Sequence, residues 1–323
     1  MLILSEQDAR ALVGVQDAIA VVEQTFAAMA RQQARNYPVV RESVGHQDAV
    51  FGVKTGADLS TPLLGLKAGG YWPHNTARGL TNHQSATVLF DPDTGRAKAV
   101  VSANYLTGVR TGAASAIATK HLSRPDSSVL GIIGAGVQAQ YQLRATLAVR
   151  AIRKVCAWDP SADNLAAFGR VVQELGLEFV AAADRQAVAA CADMLITVTP
   201  SQQALVEQAW VRPGTHISAM GADTKGKQEL AAQVVAAAAV YVDEPAQAVS
   251  IGECQHAFAA GLLTLADLRG TLGEVIAGLR PGRRSDSEIT LFDGTGVALQ
   301  DLAVAELAVR LALQQGVGVQ VEY

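Results

Sequence analysis

The sequence predicts an α/β protein of two domains: a doubly wound parallel sheet covered by helices, and an α+β domain with an antiparallel or mixed sheet. Three observations predict it. From about residue 108 onward, short Val/Ile/Leu/Ala-rich runs alternate with helical segments, the pattern of parallel strands buried on both faces. Before that point, one long helical stretch is followed by short β-rich segments divided by turn signals. The 323 residues, 50% of them hydrophobic and 17% charged, supply enough apolar material for two cores.

The elements follow in order. Residues 15 to 34, VQDAIAVVEQTFAAMARQQA, set Val15, Ile19, Val22, Phe26, Met29 and Ala30 at helical spacing and predict a long amphipathic helix. YPVVRESV, AVFGVKTG, LLGLKAGGYW, SATVLFDPDTG and AKAVVSANYL are the β-rich segments, and DPDTG suits a tight turn back into AKAVV. VRTGAASAIATKHL is a small-residue helix that SRPDS breaks. The strands VLGIIG, KVCAWD, EFVAA, DMLITVT, THISAM and AVYVD come next, separated by helices such as QAQYQLRATLAV and NLAAFGRVVQEL. DLAVAELAVRLALQQG is amphipathic again and is expected to pack on the first domain. The expected domains are residues 1–119 with 303–323, and residues 120–302.

Composition narrows the function. A net charge of −4 without a block of like charges argues against nucleic acid. The N-terminus lacks the basic lead of a signal peptide, and every apolar run is interrupted before the roughly 18 residues that a membrane span needs. A cytoplasmic location is expected, with no membrane partner. Cys156, Cys191 and Cys254 are odd in number and widely spaced, and the six histidines are scattered, so no metal site is expected. A small molecule is the expected partner.

GIIGAGVQAQYQL carries the first chemistry. Gly134-x-Gly136-x-x-Ala139 follows an apolar strand, opens a helix and precedes Asp159 by twenty residues counted from Ala139. Gly134 permits the turn, Gly136 lets the backbone approach a pyrophosphate, and the helix starting near Val137 offers free N–H groups to it. The parallel domain is therefore read as a Rossmann dinucleotide domain. Asp159 can accept from both ribose hydroxyls and would repel a 2'-phosphate, favouring NAD over NADP, although Arg153 and Lys154 stand just before that strand. The competing reading is a ligand-free turn with a surface aspartate.

Four other residues are candidates. Lys67 lies in the apolar, glycine-flanked LLGLKAGGYW, where it is either snorkelling at an edge or buried for acid–base work in a strand whose glycines leave room for a ligand. Arg110 projects from a helix of small residues, and its fork suits a carboxylate. Arg41 on an alternating strand is a weaker candidate for the same task. Asp223 follows the carboxyl end of THISAM, a position suited to proton transfer, with a helix N-cap for TKGKQEL as the alternative.

LKAGGYWPHNTARGLTNHQSATVLFDPDTG, VRTGAASAIATKHLSRPDS, GIIGAGVQAQ, MGADTKGKQEL and RRSDSEITLFDGTGVALQD together resemble the ornithine cyclodeaminase/μ-crystallin family, in the right order over most of the chain. The resemblance implies a Rossmann domain joined to a dimerising substrate domain, and hence a homodimer. It implies that Arg41 and Arg110 hold the substrate α-carboxylate, Lys67 assists at the imine or amine nitrogen, and Asp223 transfers a proton facing the nicotinamide. It assigns Gly134, Gly136, Val137 and Gln138 to the pyrophosphate, Asp159 to the adenosine ribose, and Thr199 and Gly221 to the rest of the NAD. Thr295 or Val297 would line the nicotinamide pocket, and Gln84 with Ser85 would lie near the substrate.

One departure bears on substrate. Ornithine cyclodeaminases resemble one another in carrying a glutamate about thirteen residues before the site lysine, serving the diamino acid. Here that position is Lys54. A cation suits a second carboxylate rather than a distal ammonium, and His83 in NHQS would join it; Lys54 as a solvated strand residue is the plain alternative. The expected activity is NADH-dependent reduction of an α-imino acid, with iminosuccinate to aspartate as the leading case. An ornithine cyclodeaminase using NAD catalytically, and a non-catalytic ligand-binding protein, are the rivals.

Overall fold

Turn-separated β-segments pair into one mixed sheet in the N-terminal part of the chain. The computed structural model describes residues 1–322 and divides into two units, Met1–Arg110 with Val297–Tyr323, and Thr111–Gly296. The first unit starts with β1 (Leu2–Leu4), α1 (Glu6–Leu12) and α2 (Val15–Ala30). Ala18, Ile19, Val22 and Phe26 of α2 are buried, as their spacing requires, and each large apolar side chain contributes about 1.5–3 kcal/mol relative to exposure. There follow β2 (Ala34–Asn36), β3 (Val40–Ser43), β4 (Val50–Asp58), β5 (Leu63–Tyr71), β6 (His83–Phe90) and β7 (Ala97–Ser102). The sheet runs β1-β7-β6-β5-β4-β2, antiparallel except for β1 beside β7, with β3 pairing the other end of β4.

Helix α3 (Asn104–Leu122) starts in the first unit and continues into the second. The second unit then alternates strands and helices: β8 (Val129–Ile133), α4 (Val137–Leu147), β9 (Lys154–Trp158), α5 (Ala162–Glu174), β10 (Glu178–Ala181), α6 (Arg185–Cys191) and β11 (Met194–Thr197). After these come β12 (Gln202–Val206), β13 (His216–Ala219), β14 (Gln228–Leu230), α7 (Ala232–Ala237), β15 (Ala239–Val242), α8 (Pro245–Ala248) and α9 (Gln255–Ala259). β16 (Gly270–Thr271), α10 (Leu272–Ile276) and β17 (Thr290–Asp293) complete the unit. The main sheet has the order β10-β9-β8-β11-β13-β17-β15-β16, with every pair parallel. This is the Rossmann arrangement: the chain moves outward from β8 to β10, then restarts at β11 on the other side of β8. The crevice beyond the carboxyl ends of β8 and β11 is where such sheets take ligands.

Two local readings change. TKGKQEL forms no helix; it is a loop leading into β14, which pairs in parallel with β12 as a separate two-stranded sheet, so Asp223 caps nothing there. ITLFD supplies a central strand, β17, between β13 and β15, that the alternation did not single out. The expected domain boundaries at 119/120 and 302/303 fall nine residues beyond the Arg110/Thr111 divide and six beyond Gly296/Val297.

The chain returns to the first unit through α11 (Ala298–Gln315) and β18 (Val319–Gln320), which adds antiparallel to β1. Helix α11 packs on β4, β5, β6 and α2. A Cβ on Gly56 would lie 3.3 Å from the Leu299 side chain, and one on Gly65 would lie 3.0 Å from that of Leu302. The two glycines therefore let α11 settle close to the sheet.

Candidate active site

Strand register decides which candidates meet in the first unit. Lys54 pairs with Lys67 and Lys67 with Thr87; Arg41 pairs with Gly52, Gly52 with Gly69, and Tyr71 with His83. Partners directly opposite share a face, as do residues two apart along one strand. Arg41, Lys54, Lys67, His83, Ser85 and Thr87 therefore lie on one face, which is the face α11 covers. Gln84 pairs with Gly70 and lies on the other, where its Nε2 donates to the Thr81 carbonyl at 2.8 Å and its Oε1 accepts from Asn104 at 3.0 Å. The register thus separates Gln84 from the other candidates.

The glycines beside Lys67 also have a different use from the one expected. A Cβ on Gly69 would collide with Ser85, and one on Gly70 with the Val50 carbonyl, so these positions serve close strand contact rather than ligand room.

Like charges directly opposite in a sheet are destabilising, so the Lys54–Lys67 pair calls for a counter-charge. Asp301 on α11 supplies it. Its Oδ1 accepts from Lys67 Nζ at 3.0 Å and from Arg110 Nε at 2.9 Å, and all three residues are buried. Lys67 Nζ also donates to Thr107 at 3.3 Å, and Arg110 Nη1 to Gln300 at 3.0 Å. Burial pulls the Lys67 ammonium down to about 7, with Arg110 and Lys54 lowering it further and Asp301 opposing them. Burial pushes Asp301 up, but Arg110, Lys67 and Lys54 outweigh it and hold the carboxyl at about 2. Lys67 therefore stands poised to gain or lose a proton near neutrality, beside the Asp301 carboxylate and the Arg110 guanidinium.

In the second unit, Gly134 has φ +99°, a left-handed conformation that disfavours any side chain, and a Cβ there would lie 2.8 Å from Thr199 and the Val198 carbonyl. Gly136 is the N-cap of α4, with no side-chain cap and nothing within 4 Å of where its Cβ would be. Val137 is exposed, and the Gln138 Oε1 is buried without a hydrogen-bond partner. An uncapped helix end, whose free N–H groups face open space, fits a pyrophosphate group.

Asp159 Oδ2 accepts from the Ala135 amide at 2.7 Å, tying the second strand's end to the glycine loop. Arg153 and Lys154 are engaged at the other end of β9, with Ser128 Oγ at 2.9 Å and Glu178 at 3.0 Å, so neither stands beside Asp159 as a phosphate binder.

Asp223 lies in the loop after β13, its side chain one-third exposed; Oδ1 accepts from Lys227 Nζ at 2.7 Å and from Thr224 Oγ1 at 3.1 Å. Thr199 and Gly221 lie just beyond β11 and β13, and both amides donate to the buried carboxylate of Glu229. Thr295 Oγ1 donates to Asp243 at 2.7 Å, and Val297, fully buried, is the N-cap of α11. Among the described residues, no group of His, Cys, Asp or Glu is arranged to hold a metal ion, and no single helix is long and apolar enough to cross a membrane.

Asp301, Gln300, Thr107 and Glu229 were not singled out from the sequence. Asp301 left one signal: a charge on the apolar stripe of a helix, between Ala298 and Leu302, which amphipathic spacing does not explain.

Known proteins resemble this chain from end to end. The profile of the ornithine cyclodeaminase/mu-crystallin family matches residues 1–315. An iminosuccinate reductase from Paracoccus denitrificans is 50% identical over 322 residues, covering 100% of both chains. The crystal structure of the iminosuccinate reductase of that organism in complex with NAD+ superposes with a TM-score of 0.95, covering 100% of this chain and 99% of the other. Thermococcus litoralis Δ1-pyrroline-2-carboxylate reductase, in complex with NADH and L-proline, is 32% identical with a TM-score of 0.96, covering 99% and 100%. An archaeal alanine dehydrogenase dimer with bound NAD is 37% identical with a TM-score of 0.95, covering 100% and 99%. With its Rossmann sheet, its glycine turn and this full-length similarity, the chain belongs to the ornithine cyclodeaminase/mu-crystallin family.

Proposed function

We propose that the protein is an NADH-dependent reductase of α-imino acids, reversible as an amino-acid dehydrogenase, with iminosuccinate as substrate and L-aspartate as product. The observation that carries this reading is the cationic face of the first unit: Arg41, Lys54 and Lys67 on one sheet face, with Arg110 joined to Lys67 through Asp301. A dicarboxylate answers such a face. The 50% identity to an iminosuccinate reductase supports the same substrate.

The roles follow from donor counts. Arg110 spends one N–H on Asp301 and one on Gln300, leaving three of its five for a substrate α-carboxylate, with Arg41 assisting. Lys67 has three N–H donors, of which Asp301 and Thr107 take two, leaving one for the substrate nitrogen. Lys54 and His83 receive the second carboxylate. Gly134, Gly136, Val137, Gln138 and Asp159 hold the pyrophosphate and adenosine ribose of the cofactor, Thr199 and Gly221 the rest of it, and Thr295 or Val297 lines its nicotinamide pocket. NADH, when bound, supplies the hydride to the imine carbon. Asp223 and Lys67 manage protons at the nitrogen, and the paired guanidinium fixes the carbon's orientation, a large share of catalysis in such reactions.

The deciding experiment follows NADH absorbance with oxaloacetate plus ammonium, beside pyruvate plus ammonium and beside L-ornithine plus NAD. Ammonium-dependent NADH oxidation with oxaloacetate, yielding aspartate rather than malate, is the expected result. Conversion of ornithine to proline and ammonia at constant NADH would instead make the chain a cyclodeaminase.

Substrate choice is tested at Lys54. Lys54→Met is expected to cost about 2–3 kcal/mol, roughly 30- to 150-fold in kcat/KM, with oxaloacetate plus ammonium, and little with pyruvate plus ammonium. Equal losses on both substrates would remove Lys54 from the second-carboxylate site. The reading includes a cytoplasmic homodimer, in line with the solved alanine dehydrogenase dimer, and light scattering on the purified protein tests the oligomer.

A further inference from the structure

We propose that Glu229 is a positioning residue for the cofactor: it sets the spacing of the two loops, at Thr199 and Gly221, on which NAD(H) rests. This inference rests on the dinucleotide reading given above.

The carboxylate is fully buried on β14 and bridges the ends of two neighbouring strands. Thr197 and Ala219, the last residues of β11 and β13, are register partners, so the two loops leave the sheet side by side. Oε1 accepts from the Thr199 amide at 2.6 Å; Oε2 accepts from Thr197 Oγ1 at 2.8 Å and from the Gly221 amide at 2.9 Å. Parallel strands end with amides that the sheet no longer satisfies, and the two oxygens of one carboxylate meet both such amides and the Thr197 hydroxyl at once.

Steric contacts carry the same spacing further. A Cβ on Gly221 would collide with the Thr199 carbonyl and with Glu229 itself, and one on Gly134 would lie 2.8 Å from Thr199 Cγ2. The glycine turn at Gly134, the Thr199 loop and the Gly221 loop are thus in contact with no room for a methyl group between them.

Holding a carboxylate here is costly. Burial pushes Glu229 up, against the hydrogen bonds from Thr197, Thr199 and Gly221, and pushes Glu253 well up as well. Glu253 in turn accepts from the Glu229 amide at 2.9 Å and from Leu230 through the same oxygen at 2.6 Å, fixing the strand that bears the pin. Two buried acids in series, each spent on backbone amides, are an expensive way to stabilise a fold. They are a direct way to hold loop spacing to a fraction of an ångström.

Glu229→Gln keeps shape but turns N–H donors toward groups that are themselves donors. The NADH dissociation constant, read from nucleotide fluorescence, is expected to rise roughly 10- to 100-fold. At saturating NADH, kcat and the KM for the imino acid should change less than about threefold. Thr197→Val, which removes one donor and leaves both amide contacts, should give a smaller rise in the same constant. If both variants fold and bind NADH as the wild type does, whatever their melting temperatures, the inference is overturned; if Glu229→Gln does not fold, Thr197→Val alone decides it. Failure of the wild type to bind NADH would overturn the dinucleotide reading, and this inference with it.

Discussion

Asp301→Asn is expected to lower kcat/KM for the imino acid by roughly 10²- to 10³-fold and to move the alkaline limb of its pH profile by about 1–3 units to lower pH. One carboxylate oxygen serves two cations, Lys67 at 3.0 Å and Arg110 at 2.9 Å, so an amide there removes the counter-charge from both. The sign follows from Lys67. Its folded value of about 7 lies below the ordinary 10.5, so the ammonium is present below pH 7 and is lost as pH rises through it. Imine reduction consumes a proton at nitrogen, so an ammonium donor gives a rate that falls above about pH 7. Asp301 is the influence that raises Lys67 against burial, and without it the limb moves to lower pH. Lys67→Arg checks the assignment, since a guanidinium does not titrate in this range and the limb should vanish. A limb that stays in place in both variants would sink the role of Lys67 as proton donor. Asp301→Asn should also cost stability by about 3–5 kcal/mol, because it leaves the buried Lys67 and Arg110 without their counter-ion.

How much of this was legible in the sequence depends on range. The Rossmann half was legible because its signals are local: a strand, a glycine turn and a helix follow one another within GIIGAGVQAQYQL, and Asp159 sits at a fixed offset. Lys67 stood out because a charge in an apolar strand is anomalous wherever the strand lies. The buried partner of Lys67 was not legible, since Asp301 is 234 residues away and meets it only after α11 packs on β5. Strand parity separates His83 from Gln84, but only the register shows which of them shares a face with Lys67. The glycine pair after Lys67 looked like ligand space because a sequence does not show how closely the neighbouring strands approach. Glu229 was hidden for a similar reason: in TKGKQEL it reads as one more polar residue of a charged segment, and the β12–β14 pairing is what places it in a buried strand.

Asp223→Asn is expected to separate chemistry from binding most cleanly. A general acid or base is worth about 10²- to 10⁴-fold, so kcat should fall by that range. The NADH dissociation constant should stay within about twofold, because Asp223 donates nothing to the Glu229 pin that holds Thr199 and Gly221. Stability should also hold: the side chain is one-third exposed, it caps no helix, and its ion pair with Lys227 is of the partly solvated kind worth about 0–1 kcal/mol. The expected pattern is the inverse of that for Glu229→Gln, which weakens NADH binding and spares kcat. Rapid-mixing measurement of NADH oxidation within one turnover, together with equilibrium NADH binding, checks both halves. A variant that binds NADH normally and turns over at the wild-type rate would exclude Asp223 from proton transfer and leave Lys67 to manage the nitrogen alone. A variant that binds NADH poorly would mean that the Asp223–Lys227 pair shapes the cofactor loop, and that its charge acts through position rather than through a proton.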